Sequence, residues 1–306
     1  MIDPDITLFA DVVASGSIAG AARRLGISAP MASRRLARLE ARHGVALVHR
    51  TTRRLELTAR GESFYRDVLT LVAAAEAAEA RLTGGRGAPA GPLRVTAPTA
   101  FGRLHIAPNL NTFLDACPRV GFTLDLSDAY VDLLSGRYDL AVRITAQVGP
   151  GLEAVRLATS RRVLCAAPSY LARRGEPNGV EALRAHDLVA ADGQLPWRLS
   201  VDGRETLLEG QSIVRTNSSE AVRELALAGV GVALRSLWEV GDDLATGRLA
   251  RVLPAAQGSL HVGIYVVRPR AAFVSPAAEA FTAHLRRLLQ SRPEWEDACA
   301  DPEHAA

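Results

Sequence analysis

A chain of 306 residues exceeds what one hydrophobic core usually serves, so two or more domains are expected, and 48% hydrophobic content is enough to build them. No apolar run reaches the length of a membrane span, and the first ten residues carry Asp3 and Asp5 where a secretory signal places basic residues, so a cytoplasmic chain with no membrane partner is expected. The net charge of +3 hides an uneven distribution, because residues 18 to 60 hold ten arginines against Glu40 and Glu56.

The chain contains no lysine, for which genomic base composition is sufficient cause. Cys117, Cys165 and Cys299 stand far apart without CxxC pairs, which argues for free thiols over a disulfide framework. Seven histidines are scattered without ligand spacing, so no metal is expected.

Asp3-Pro4-Asp5 starts a first helix. It supplies an N-cap oxygen, a proline whose missing N–H costs nothing in the first turn, and an acid at the positive end of the helix dipole. Ile6, Phe9, Ala10 and Val13 follow at helical spacing as its buried stripe. Ser15-Gly16-Ser17 breaks that helix, and Ser17 caps a second whose inward face is Ile18, Ala21, Ala22 and Leu25. Gly26-Ile27-Ser28 is a tight turn, after which Ser28 caps a third helix running to about His43 and ended by Gly44.

Helix, three-residue turn, helix is the spacing of a helix-turn-helix, whose second helix enters the major groove with its N-terminal residues. At about 100° per residue, Ala32, Leu36 and Leu39 fall on one side as the core face. Pro30, Ser33, Arg34 and Ala37 point the opposite way, with Arg38 at the margin. Candidate DNA contacts on this helix are Ser28, Ala29, Pro30, Ser33, Arg34 and Arg38, with Arg34 suited to bidentate guanine contact or to phosphate.

Residues 46–50 and 55–58 read as two short strands around the polar turn Thr51-Thr52-Arg53-Arg54. The result is a wing whose Arg50, Thr52, Arg53 and Arg54 suit phosphate contact or the adjacent minor groove. For a single arginine a solvated surface charge is the commoner role; ten on a helix-turn-helix pattern outweigh it.

Ala21-Ala22-Arg23-Arg24-Leu25-Gly26-Ile27-Ser28-Ala29-Pro30-Met31-Ala32-Ser33-Arg34-Arg35-Leu36-Ala37-Arg38-Leu39-Glu40, followed by Gly44, Leu47, Arg50-Thr51-Thr52-Arg53 and Leu57-Thr58, resembles the signature of LysR-type regulators. Met31, His43, Val48 and Arg60 depart from the family's usual residues and bear on operator detail rather than fold. The resemblance implies a winged helix-turn-helix, a long linker helix and a two-lobed, periplasmic-binding-protein-like α/β domain. It also implies transcription regulation set by a small-molecule effector bound between the lobes.

From 58 to about 83 the chain is rich in helix formers, and Phe64, Val68, Leu71, Ala75, Ala78 and Leu82 alternate spacings of four and three, a heptad seam. One helix packed on its own domain is the alternative, but a dimer matches a near-palindromic double-stranded operator, and family members also form tetramers. Glycine and proline at 84–92 read as a flexible hinge.

Beyond the hinge, strands are expected at 93–96, 121–126 and 140–143, with helices at about 101–117 and 131–135. A second set begins at 162–167 and includes a strand at 212–214, a helix at 218–228 and a strand at 231–234. The strand 261–267 leads back, and Ser275-Pro276 opens a last helix to about 290. This alternation argues for a mostly parallel sheet covered by helices.

The expected domains are 1–60 for DNA binding, 61–92 for linker and hinge, and 93–295 for the effector. Within the last, lobe one is 93–163 with 268–295 and lobe two is 164–267; 296–306 is an expected disordered tail.

Ligands in open α/β sheets settle beyond the carboxyl ends of strands, near helix N-termini. Thr99, Ala100 and Phe101 in one lobe, and Asn217 and Ser218 in the other, follow strands and open helices. By the resemblance they face each other across the cleft, with Arg143, Thr145 and Trp197 nearby, a set that suits a ligand with an anionic or polar end and an apolar body. Each Ser, Thr and Asn is equally an ordinary helix cap, Arg143 has Asp139 and Glu220 as alternative partners, and Trp197 is equally a core residue. No GxxxxGK[ST], HExxH or GxSxG motif occurs, so neither enzyme nor cofactor is expected.

Overall fold

The computed structural model describes residues 3–50, 55–82, 89–129, 131, 133, 138–259, 261–270 and 274–290. The chain divides into two compact units, the first built mainly on residues up to Leu93 and the second on most of the rest.

The first unit opens with α1 (Pro4–Ala14), α2 (Ile18–Arg24) and α3 (Ala29–His43). Their ends are set by the caps read from the sequence. Asp3 accepts from Asp5 N at 2.8 Å, Ser17 from Gly20 N at 3.0 Å and Ser28 from Met31 N at 3.3 Å, while Gly44 at φ 63° closes α3. Ala32, Leu36 and Leu39 are buried as expected.

The stripe of α1 differs from expectation. Leu8, Phe9 and Val12 are buried, and Ile6, Ala10 and Val13 lie at the edge of the core. The helix is apolar on most of its circumference, so its rotation is decided by its one buried acid. Asp5 is 4% exposed; its Oδ1 accepts from Arg35 Nε at 2.7 Å and its Oδ2 from Arg38 Nη2 at 2.7 Å and Nε at 3.0 Å. Leu25, expected inward, is 37% exposed because it stands beyond the last turn of α2.

β1 (Val48–Arg50) and β2 (Leu55–Leu57) pair antiparallel, Val48 opposite Leu57. The wing turn with Thr52, Arg53 and Arg54, and the side chain of Arg50, lie outside the described residues. Glu40 Oε1 ties α3 to the wing by accepting from Leu47 N at 2.8 Å and Val48 N at 3.2 Å.

Thr58 Oγ1 donates to Ala46 O at 2.8 Å and accepts from Gly61 N at 2.9 Å, which starts α4 (Ala59–Leu82). A Cβ on Gly61 would lie 1.9 Å from the Leu47 carbonyl oxygen, so this crossing admits only hydrogen there. The expected seam of α4 divides in two. Phe64 and Val68 join the core of the first unit, whereas Leu71 and Ala78 are exposed and Ala75 is half-buried; the side chain of Leu82 is outside the described residues.

In the second unit β3 (Ala90–Ala97) begins inside the expected hinge and leads into a helical run that starts two residues earlier than expected. The run comprises α5 (Thr99–Phe101), a π turn (Gly102–Ile106), a 3-10 turn (Ala107–Asn109) and α6 (Leu110–Ala116). Pro108 has no N–H for a bond one turn back, which fits the departure from regular α geometry there.

β4 (Arg119–Leu126), β5 (Leu140–Thr145) and β6 (Leu152–Thr159) follow, then β7 (Arg162–Ala166), α7 (Pro168–Arg174), β8 (Leu188–Val189), β9 (Trp197–Val201) and β10 (Arg204–Leu208). The chain continues through α8 (Ser219–Leu227), β11 (Val232–Ser236), α9 (Leu237–Ala245), β12 (Ala250–Arg251), β13 (Ala256–Gly258), β14 (Gly263–Pro269) and α10 (Pro276–Gln290), whose first turn is capped by Ser275. The expected helix at 131–135 and the tail fall largely or wholly outside the described residues.

Among the described residues these strands form a five-stranded sheet in the order β4-β3-β5-β14-β6 and a seven-stranded sheet in the order β10-β9-β13-β7-β11-β8, with β12 also on β7. The expectation of mostly parallel sheets is overturned. Parallel pairing joins β3 to β5 and β8 to β11, while β14 runs antiparallel to β5 and β6, and β7 antiparallel to β11 and β13.

β9 and β10 form a hairpin over Asp202-Gly203, both at positive φ. Residues 212–214 are not a strand. Ser212 Oγ takes over the ladder's role, accepting from Ala190 N at 3.0 Å and donating to Val214 O at 2.6 Å. Because β14 closes the first sheet, residues 263–267 stand with it, and the second sheet spans 162–258 rather than the expected 164–267.

Asp5 gives the first unit a pH dependence. Burial pushes its carboxyl up, but the hydrogen bonds and charges of Arg35 and Arg38 outweigh that and hold it below the ordinary value. A lowered folded-state pKa contributes stability that is present above the unfolded value near 3.9 and lost as pH falls through the folded one. Asp5→Asn is expected to lower the stability of this unit by about 1.5–3 kcal/mol at neutral pH, and by less at acid pH, in urea unfolding followed between pH 7 and pH 3.

Candidate functional site

Two surfaces carry the sequence-derived candidates. On the first, Ser28, Ala29, Pro30 and Arg34 are exposed and Ser33 is half-buried, in the N-terminal part of α3. The arginines of α3 divide by their partners. Arg35 and Arg38 pair with Asp5, and Arg42 pairs with Asp3 at 2.8 Å; Arg34 has no carboxylate partner among the described residues. Arg38, though clamped, keeps 68% of its side chain exposed.

The second surface is a cleft of about 400 Å³ lined from both sheets of the second unit. From the first sheet it takes Pro98 and Ala100 after β3, Ser127 and Asp128 after β4, and Arg143 and Ile144 near the end of β5. From the second come Arg162, Gln194, Ser219, Arg235, Trp238 and Glu239. These are mostly carboxyl ends of strands and beginnings of helices, where free N–H groups and the helix dipole favour negative charge.

Polar contacts cross the cleft. Asp128 accepts from Thr99 N at 2.9 Å through Oδ1 and from Ser219 N at 2.8 Å through Oδ2. Arg103 Nε donates to Glu220 Oε1 at 2.6 Å, and His105 Nε2 lies 3.0 Å from Trp238 O. Where the chain passes between the sheets, buried Ser160 Oγ lies 3.1 Å from Ser236 Oγ and accepts from Trp238 Nε1 at 3.1 Å.

In the cleft wall Arg235 and Glu239 form an ion pair with side chains 5% and 1% exposed, and Arg235 Nη2 donates to Ser219 Oγ at 3.0 Å. Burial pushes the Glu239 carboxyl up against the opposing pull of Arg235. Burial, then the charge of Arg235, lowers Arg162. Among the described residues Arg162 Nε, Arg235 Nε and Glu239 Oε1 have no hydrogen-bond partner, an arrangement costly in a buried wall.

Ala100 and Arg143 line the cleft, and Thr99 reaches it through its backbone N–H. Both alternative partners considered for Arg143 are engaged elsewhere, Asp139 by Arg94 and Glu220 by Arg103. Phe101 is fully buried, edge-on to Trp238 at 5.3 Å. Thr145 lines a separate cavity of about 200 Å³ with Val131, Val148 and Leu152, its hydroxyl turned to the Gln147 backbone. Trp197 is 2% exposed within the core of the second lobe and does not line the cleft. Ser218 caps α8 by accepting from Ala221 N at 3.2 Å, and Asn217 is exposed.

Asp128, Arg162, Gln194, Ser219, Arg235, Trp238 and Glu239 are cleft residues that sequence reading missed. The strand-end rule that located Thr99 applies equally to Arg235, at the carboxyl end of a correctly expected strand. Asp128 and Arg162 carry no comparable local signal.

The chain matches the family description "Bacterial regulatory helix-turn-helix protein, lysR family" over residues 4–62 and "LysR substrate binding domain" over residues 86–290. It is 34% identical over 269 residues to the HTH-type transcriptional regulator DmlR of Escherichia coli (strain K12), covering 86% of this chain and 88% of that protein. With the regulator PtxR of Pseudomonas aeruginosa it shares 34% over 296 residues, 93% of this chain and 92% of the relative. The solved structure of CrgA, a LysR-type transcriptional regulator from Neisseria meningitidis, superposes with a TM-score of 0.53 at 28% identity, covering 97% of this chain and 99% of that one. Both family domains in this order, with relatives matched along most of their length, establish that the chain belongs to the LysR family of bacterial transcription regulators.

Proposed function

We propose that this chain reads a near-palindromic double-stranded operator through α3 and the wing, as a dimer or a pair of dimers in the cytoplasm. A small molecule with an anionic or polar end, taken into the cleft between the lobes, resets that grip. The observation that carries the DNA part is the division of arginines on α3. Three are paired with the two acids at the start of the first helix, Asp3 and Asp5, and Arg34 stands exposed on the outward face beside Ser33 without a carboxylate partner among the described residues.

Arg34 then reads a base edge, with Ser28, Ala29 and Pro30 fitting the groove at the helix start. Arg38, Arg50, Thr52, Arg53 and Arg54 hold phosphates or the flanking minor groove. For the effector, Thr99, Ala100, Arg143, Asn217 and Ser218 supply or border polar contacts. Phe101 supports the wall from behind through Trp238, Trp197 serves the core of the second lobe rather than the ligand, and Thr145 sits in the neighbouring cavity. The protein acts as a regulator and performs no reaction of its own. Effector and DNA are coupled by population shift: a ligand preferring one lobe arrangement alters the spacing of the DNA-binding heads.

Self-association uses the part of the α4 seam that its own unit leaves uncovered, with Leu71 47% exposed and Ala78 exposed on the same face. Leu71→Asp is expected to shift the protein toward monomer in sedimentation velocity at micromolar concentration, with operator binding weakened in parallel; an unchanged sedimentation coefficient would remove α4 from the interface.

For base readout, Arg34→Ala is expected to cost about 1–3 kcal/mol on a duplex selected from random sequence by the wild-type protein, while salt-sensitive binding to unrelated duplex persists. Equal losses on both duplexes in a competition titration would make Arg34 a phosphate contact.

A further inference from the structure

Met31 is one of two methionines in the chain, and it takes no part in the core of the first unit. It lies in the first turn of α3, where its N–H donates to the Ser28 cap, and it is 46% exposed. No other large apolar residue of α3 is exposed. Leu36 and Leu39 are buried, and the remaining exposed positions are alanine, proline, arginine and histidine. A single exposed apolar side chain on an ordinary surface calls for no explanation. On the helix of a helix-turn-helix that enters the groove, one turn from Arg34, it does.

At about 100° and 1.5 Å per residue, Met31 stands about 60° round the helix from Arg34 and about 4.5 Å nearer the N-terminus. Helical side chains lean toward the N-terminus, so the thioether leads the helix into the groove. The preceding Ser28, Ala29 and Pro30 are short, which makes Met31 the longest side chain of the leading turn. Methionine has no proton to donate. In a major groove lined with donors and acceptors, the group that suits it is the apolar one, the C5-methyl of thymine. That methyl stands toward the groove wall, beyond the O4 acceptor, on the side that a residue on the flank of the helix reaches.

We propose that Met31 is a specificity residue that packs on the C5-methyl of a thymine in each half-site. A separation of about 4.5 Å along the helix against about 3.4 Å per base step puts that thymine within about two base pairs of the group met by Arg34. This rests on the reading of α3 as the groove-entering helix and adds to it a base and the residue that selects it. Arg34 acts through hydrogen bonds and charge, and Met31 through apolar area. Position 31 departs from the family signature, so the preference belongs to this chain's own operator.

The test uses the full chain and a duplex selected from random sequence by the wild-type protein. Each thymine is replaced in turn by deoxyuridine, which keeps its pairing and loses only the methyl. Wild type is expected to bind roughly fourfold more weakly when one particular thymine of a half-site is replaced, the effect of one buried carbon group. Met31→Ala is expected to bind the parent duplex roughly fifteenfold more weakly, one such contact being lost in each half-site, and to bind the deoxyuridine duplex as well as the parent. Met31→Leu is expected to keep the discrimination and Met31→Gln to lose it. The position is exposed, so all three variants are expected to melt with wild type by circular dichroism.

A deoxyuridine penalty that Met31→Ala shares in full would give the methyl to another side chain. Tolerance of deoxyuridine at every thymine would show that no methyl is read. Either result overturns the proposal, while the selected duplex leaves the DNA-reading role of α3 standing; failure to select any duplex would overturn both.

Discussion

The buried carboxylate of Asp5 is the constraint on which the DNA-reading half depends. A carboxylate at 4% exposure is tolerable only when paired and fully hydrogen-bonded, and Arg35 and Arg38 of α3 provide that pairing. The pairing fixes the rotation of α1, sets the angle of α3 against it, and withdraws Arg35 from the pool that would otherwise grip any polyanion, while Arg38 is held in place with most of its side chain still exposed. What remains on the outward face is smaller and more selective than the raw count of arginines suggests. Glu40 and Gly61 then lock the wing and α4 to the same frame, one by accepting two wing N–H groups and the other by making room for the Leu47 carbonyl.

The effector half follows a comparable rule at a different place. Two sheets converge on a cleft where strand ends and helix starts concentrate N–H groups and arginines, and the chain answers with its own acids, Asp128 and Glu239. The buried contact of Ser160 with Ser236 and Trp238 gives the connection a satisfied polar joint beside the cleft. A regulator needs a lobe arrangement that is stable yet biased by little binding energy. A few exposed, exchangeable contacts across the cleft supply that better than a dry apolar interface would.

Legibility of these features in the sequence tracked how local their causes are. Ser17, Ser28, Gly44 and Ser275 mark helix ends through bonds to residues within a few positions, so the helices of the first unit and the final helix were readable. The rotation of α1 was not, because both Ile6 and Leu8 satisfy a helical period and the deciding partner, Arg35, lies 30 residues away. The same holds for sheet direction. The return of β14 between β5 and β6 is a long-range pairing that no local pattern announces, and it moved residues 263–267 into the first sheet. In the cleft, the strand-end rule found Thr99 and Ala100 but passed over Asp128 and Arg162, which acquire a role only when the two lobes meet.

Sequence-specific DNA binding through α3 and the wing is tested by footprinting of the wild-type protein on the DNA upstream of its own gene across a salt series with excess competitor. A discrete protected region with two related half-sites about one helical turn or more apart is expected, surviving competitor and weakening steeply with salt. Uniform, salt-labile protection with no preferred position on that DNA, or on duplex selected from random sequence, would contradict it.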